Sequence, residues 1–140
     1  MGIYLDIEVG EITIFFDEKP KGVIYFEELG FEENTLHLHE GFSRIIFDFQ
    51  KLKKGDLYSV PTMEFVFNES DINSHWICEF NENKIFESEH KHSGKVVILL
   101  HRKEIEEHIQ HHENKLKLHI EFSDEITWNL KDSFIHFFKD

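Results

Sequence analysis

Apolar and polar residues alternate along most of this chain, the period-two pattern of strands with one wet face. Ile3, Leu5, Ile7 and Val9 alternate with Tyr4, Asp6 and Glu8. Ile12, Ile14 and Phe16 continue the pattern after Gly10-Glu11, which predicts an N-terminal hairpin. Further strands are expected over Val23–Glu28, over Thr35–Glu40 before Gly41, and over Ser43–Gln50 with Ile45, Phe47 and Phe49 inward and Asp48 outward. Leu57–Asn68 carries Pro61, so its first part is expected at an edge or irregular, ahead of Met63, Phe65 and Phe67. His75–Phe80, Lys84–Ser88, Leu116–Phe122 and Ile126–Leu130 complete the strand-like segments.

Three stretches depart from alternation. Val96–Leu100, between Gly94 and Arg102, is an unbroken apolar run, which predicts a strand covered on both faces with the others arranged around it. Ile105 and Ile109, four apart within Lys103–His112, predict a short helix. Phe134, Phe137 and Phe138, after the cap candidates Asp132 and Ser133, predict a closing helix. The expected architecture is mainly β: a single domain over 1–140, an antiparallel β-sandwich or barrel of about ten short strands. One or two short helices are expected toward its C-terminus.

Composition sharpens this picture. The chain uses Phe 15 times and has no Ala, a bias away from helices and toward pleated, half-buried surfaces. Its formal charge of −13 disfavours nucleic acid and anionic membrane surfaces, and favours a basic protein partner. Cys78 stands alone, so no internal disulfide forms. Met1–Tyr4 leads straight into the first strand pattern without signal-peptide character, and the expected location is the cytoplasm.

Candidate chemistry centres on histidine. His37 and His39 share one face of a strand, a spacing that brings two imidazoles to one metal. Cupin metal sites begin in a similar way, but Met63 and Val66 stand where their second motif needs Gly and a His ligand. His108 and His112 lie four apart, as zinc-chelating pairs do on a helix, but Ile109 occupies the place of a zincin's Glu. The cofactor expectation is none, with zinc or another divalent metal at His37, His39, His108 and His112 as the exception. Asp17-Glu18, Glu32-Glu33 and Asp124-Glu125 are loop-tip carboxylates, which resemble the calcium loops of C2 domains in architecture. Cys78 alternates with Trp76 and Phe80, which marks it as a packing residue.

No catalytic or phosphate-binding motif stands out, and the expected function is that of a small acidic binding module. In type it resembles immunity proteins and other inhibitors that mask a partner enzyme. Glu32, Glu33, Glu104 and Glu107 are the expected acidic contacts, and Phe134 and Phe138 the expected aromatic anchors. Two alternatives stand beside it. One is a metal-binding protein or metal-dependent enzyme in which three imidazoles converge, His101 among the contributors. The other is a structural subunit that self-associates through an unpaired strand edge.

Overall fold

The computed structural model describes residues 2–39 and 41–140, so Glu40, the expected end of its strand, lies outside the described residues. Among them are twelve strands in three sheets, stacked in a sandwich-like arrangement. The largest sheet has six strands: β1 (Ile3–Glu8), β2 (Glu11–Phe16), β5 (Arg44–Asp48), β10 (Lys115–Phe122), β7 (Ser74–Phe80) and β8 (Asn83–His90), in that spatial order. A four-stranded sheet runs β3 (Ile24–Tyr25), β12 (Phe134–Phe138), β6 (Leu57–Val66) and β9 (Lys95–Leu99). β4 (Thr35–Leu38) and β11 (Ile126–Asn129) form a two-stranded piece, joined toward β6 by a bridge between Phe67 and Trp128. α1 covers Arg102–Glu107.

The alternation becomes this fold because one side chain in two points into a shared core. Ile12, Ile14 and Phe16 of β2, Trp76, Cys78 and Phe80 of β7, and Leu116, Leu118 and Ile120 of β10 are all buried. Phe65, on the facing sheet, meets Trp76 at 4.8 Å and Trp128 at 5.6 Å between ring centroids. Both indoles are fully buried, and each donates its N–H to a serine: Trp76 to Ser74 Oγ at 2.8 Å, Trp128 to Ser133 Oγ at 3.0 Å. These bonds remove the penalty of burying an unpaired donor.

Four expectations are corrected. The closing segment is a strand: Phe134 pairs with Glu64 and Ile135 with Met63. Ile135 and Phe137 point inward by alternation, and a register shift before Phe138 turns that ring inward too, which reproduces helix-like spacing. The Val96–Leu100 run is an edge strand, with Val96 and Ile98 buried and Val97 and Leu99 exposed at 39% and 55%. An apolar run looks the same in sequence whether its second face is covered or wet. β5 has both faces covered instead, and this includes Asp48, which was expected to face outward. The first part of β6 is irregular, as Pro61 implies: its register against β12 shifts between Leu57 and Thr62, and its pairing with β9 covers Thr62–Val66. The third expected strand stops at Tyr25, where the Glu28 carboxylate accepts the Tyr25 N–H at 2.9 Å and a 3-10 turn, Phe26–Leu29, sends both end residues into the core.

The strand pairing is also mixed. β2 and β5 run parallel, Ile12 beside Ile45 and Ile14 beside Phe47. Residues 17–43 form the long connection that a parallel pair requires.

Candidate functional site

The sandwich does not close into a barrel. β1 is a free edge of the six-stranded sheet, β4 is a free edge of the two-stranded piece, and the two do not pair. Between them runs an open seam. Leu5, Ile7, Phe31 and Leu36 line a cleft of about 440 Å³. A second cleft of about 260 Å³ shares Ile7 and Leu36 and extends to Val9, Leu38 and Phe42. A third, of about 400 Å³, shares Gly30 and continues to Ile3 and Leu29. The shared residues make these one groove along β1 with a largely apolar floor.

Its charge has one sign. Among the described residues, Glu8, Glu18, Glu28, Glu32 and Glu33 line the three clefts, and no Lys or Arg does. In the sequence ahead of Arg44 the only Lys or Arg residues are Lys19 and Lys21, which flank Pro20 at the end of the third cleft. On the other face of β1 the Tyr4 phenol is held above its ordinary pKa, first by a hydrogen bond with Asp17 and then by that carboxylate's charge.

Local chemistry sets the walls. Gly10 turns the hairpin with φ of +79°, and a Cβ there would sit 2.7 Å from the Gly41 carbonyl oxygen. The Gly10 carbonyl accepts the N–H groups of Ser43 and Arg44 at 2.9 and 3.1 Å, which pins the end of β1 to the start of β5. Gly30, with φ of +110°, ends the 3-10 turn and releases the chain into the exposed Glu32-Glu33 loop.

At one end of the seam the structure gathers a second group. His37 and His39 project from the outer face of the β4 segment, where Thr127 is the cross-strand partner of His37. Glu125, just before β11, reaches both imidazoles: its carboxylate lies 3.3 Å from His37 Nε2 and 3.6 Å from His39 Nδ1. His37 Nδ1 lies 3.4 Å from Thr127 Oγ1. Sequence separation hides this meeting, because His37 and Glu125 are 88 positions apart and the β4–β11 register joins them. The sequence marks Glu125 as a loop-tip carboxylate and nothing more.

The other predicted residues are dispersed. α1 ends at Glu107 and His108 is its C-cap, so no helix aligns His108 with His112. The ring of His112 lies against His111, at 4.4 Å between centroids. Among the described residues, His37, His39 and Glu125 alone bring three such ligand atoms within 4.8 Å of one another, and the three-imidazole convergence is not seen. Glu32 and Glu33 are exposed on the seam, while Glu104 and Glu107 are exposed on α1. Phe138 is buried against Phe49 at 5.5 Å, a core ring rather than a surface anchor, and Phe134 is half-buried edge-on to Tyr25. Cys78 is buried, and burial pushes its thiol far above the range of a reactive nucleophile.

No protein-family model matches this chain, and no curated protein matches it. No helix among the described residues is long and apolar enough to cross a membrane.

Proposed function

We propose that this protein is an acidic binding module that masks a basic partner protein, with the β1–β4 seam as its docking groove. The observation that carries this reading is the composition of the seam: a largely apolar floor and, among the described lining residues, glutamates as the only Asp, Glu, Lys or Arg. A segment with apolar side chains on one face and Lys or Arg on the other matches it in both respects. Lying extended along β1, that segment also gains the backbone partners a free edge offers. Glutamates at the rim steer the partner in, while Leu5, Ile7 and Leu36 supply desolvated contact. The cytoplasm, where Cys78 stays reduced, is the proposed location. An inhibitor or immunity role follows where the bound segment belongs to an enzyme's active-site rim.

The test is equilibrium binding of an extended peptide that alternates lysine with valine. Binding should weaken as salt is raised, and should fall about tenfold or more in the double variant Glu32→Lys, Glu33→Lys. Ile7→Asp, at a residue already 54% exposed, should disrupt the floor without unfolding the protein. Equal affinity for a peptide with glutamate in place of lysine would overturn the reading.

A second reading rests on β9, a free edge that exposes Val97 and Leu99. Such an edge is a template for pairing with another copy of the chain. Its signature is concentration-dependent self-association in sedimentation, abolished by Leu99→Lys; a monomer at all concentrations removes it.

A further inference from the structure

We infer that His37, His39 and Glu125 form a binding site for one divalent transition cation of the zinc class, at the end of the seam where both histidines line its second cleft. Three observations converge on it. The first is spacing. A tetrahedral shell with bonds of about 2.1 Å places its ligand atoms about 3.4 Å apart. Glu125 Oε2 lies 3.3 Å from His37 Nε2 and its Oε1 3.6 Å from His39 Nδ1, and one ligand atom from each residue lies within 4.8 Å of the others, so rotation of these exposed side chains draws them around one cation.

The second is the orientation of the first imidazole. His37 Nδ1 lies against Thr127 Oγ1 at 3.4 Å, on the residue directly across the β4–β11 register. Without metal, Nε2 faces the Glu125 carboxylate and donates to it; when a cation takes that place, the ring's proton sits on Nδ1 and is donated to the Thr127 hydroxyl, the tautomer a metal-bound imidazole needs. Thr127 is therefore a positioning residue, not a ligand.

The third is the surrounding charge. A cleft of about 530 Å³ opens beside His39 and Glu125, and its other charged residues are Glu121 and Asp124. On the seam side, the one Asp, Glu, Lys or Arg residue that shares a cleft with the two histidines is Glu8. A cation is favoured from both directions, and no Lys or Arg lines either cleft to compete for the carboxylate.

The side chains of His37, His39 and Glu125 are exposed at 48%, 72% and 58%. A cation held there keeps at least one coordination position open to solvent. With two neutral nitrogens and one carboxylate, the donor set suits zinc or cobalt(II) better than calcium or magnesium, which prefer oxygen shells.

The test is titration of the whole, metal-stripped chain with cobalt(II), followed by its visible d–d absorption, and with zinc by calorimetry. One equivalent should bind through these residues. The double variant His37→Ala, His39→Ala and the single variant Glu125→Gln should each lose it. Thr127→Val should weaken binding by about tenfold or more, and Thr127→Ser should restore it. His111→Ala, His112→Ala should leave this equivalent in place. The substituted side chains of the ligand variants are exposed, and unchanged metal-free melting curves will confirm that they fold. No saturable binding, or binding that survives loss of His37 and His39 but vanishes with His111 and His112, overturns the inference. Because the readout is metal binding by the isolated chain, it succeeds or fails separately from the peptide test of the seam.

Discussion

Replacing Trp128 with Ala is expected to lower stability by about 4 kcal/mol, and the melting temperature by about 15 °C. Trp128 is fully buried, and its ring meets Phe26 at 4.7 Å, Phe65 at 5.6 Å and Phe31 at 5.9 Å. It sits on the two-stranded piece and, through its bridge to Phe67, ties that piece to the end of β6. Truncation opens a cavity at this junction and removes the indole N–H from Ser133 Oγ. Ser133 keeps its other bonds, accepting the Val66 N–H at 2.8 Å and donating to the Asn129 carbonyl at 2.7 Å. The cavity is therefore the larger part of the loss. Trp128→Phe, which retains most of the ring volume, should cost about half as much. Urea unfolding followed by circular dichroism checks both; a loss below about 1 kcal/mol for Trp128→Ala would remove Trp128 as the junction of the core.

Asn114→Ala is expected to cost on the order of 3 kcal/mol, a large effect for one polar side chain. Asn114 is fully buried and uses its whole hydrogen-bonding capacity. Its Oδ1 accepts Asn81 Nδ2 at 3.0 Å and the Gln110 N–H at 2.8 Å. Its Nδ2 donates to the Gln50 and Gln110 carbonyls at 2.6 and 3.0 Å. One side chain thus joins the turns after β5, β7 and α1. Two of the residues it fixes, Gln50 and Asn81, have φ of 54° and 47°, and those left-handed turns rely on such bonds. Asn114→Asp should be at least as damaging near neutral pH, since a buried carboxylate would face the Gln50 and Gln110 carbonyls. Burial raises that carboxyl's pKa in the folded state, so the variant's deficit should shrink as pH falls through the raised value. A deficit that grows in acid would contradict the buried network. Thermal melts across pH decide it.

The core was legible because alternation needs no knowledge of the partner strand. Ile12, Ile14 and Phe16, or Leu116, Leu118 and Ile120, read as one buried face on spacing alone. Position within a sheet is a different kind of information. Val96–Leu100 looks central in sequence and lies at an edge, because nothing local reports whether Val97 and Leu99 will be covered. Phe134, Phe137 and Phe138 have helix-like spacing only because a register shift against β6 moves Phe138 onto the buried side. The candidate sites depend still more on long-range pairing. His37 and His39 announce themselves, whereas Glu125 and Thr127 join them solely through the β4–β11 register. Glu32 and Glu33 are visibly acidic in sequence, but the apolar floor beside them exists because β1 and β4 are both free edges.

That open seam is the centre of the functional account. Its floor comes mainly from β1 and β4, its lining glutamates are Glu8, Glu18, Glu28, Glu32 and Glu33, and the −13 formal charge of the whole chain extends the same field outward. The most direct measurement is an amide NMR titration of the labelled protein with the alternating lysine–valine peptide. The account predicts perturbations concentrated in residues 3–9 and 28–39, weakened by salt and absent with the glutamate counterpart. Perturbations that centre on β9 or α1, or none at all, would contradict it.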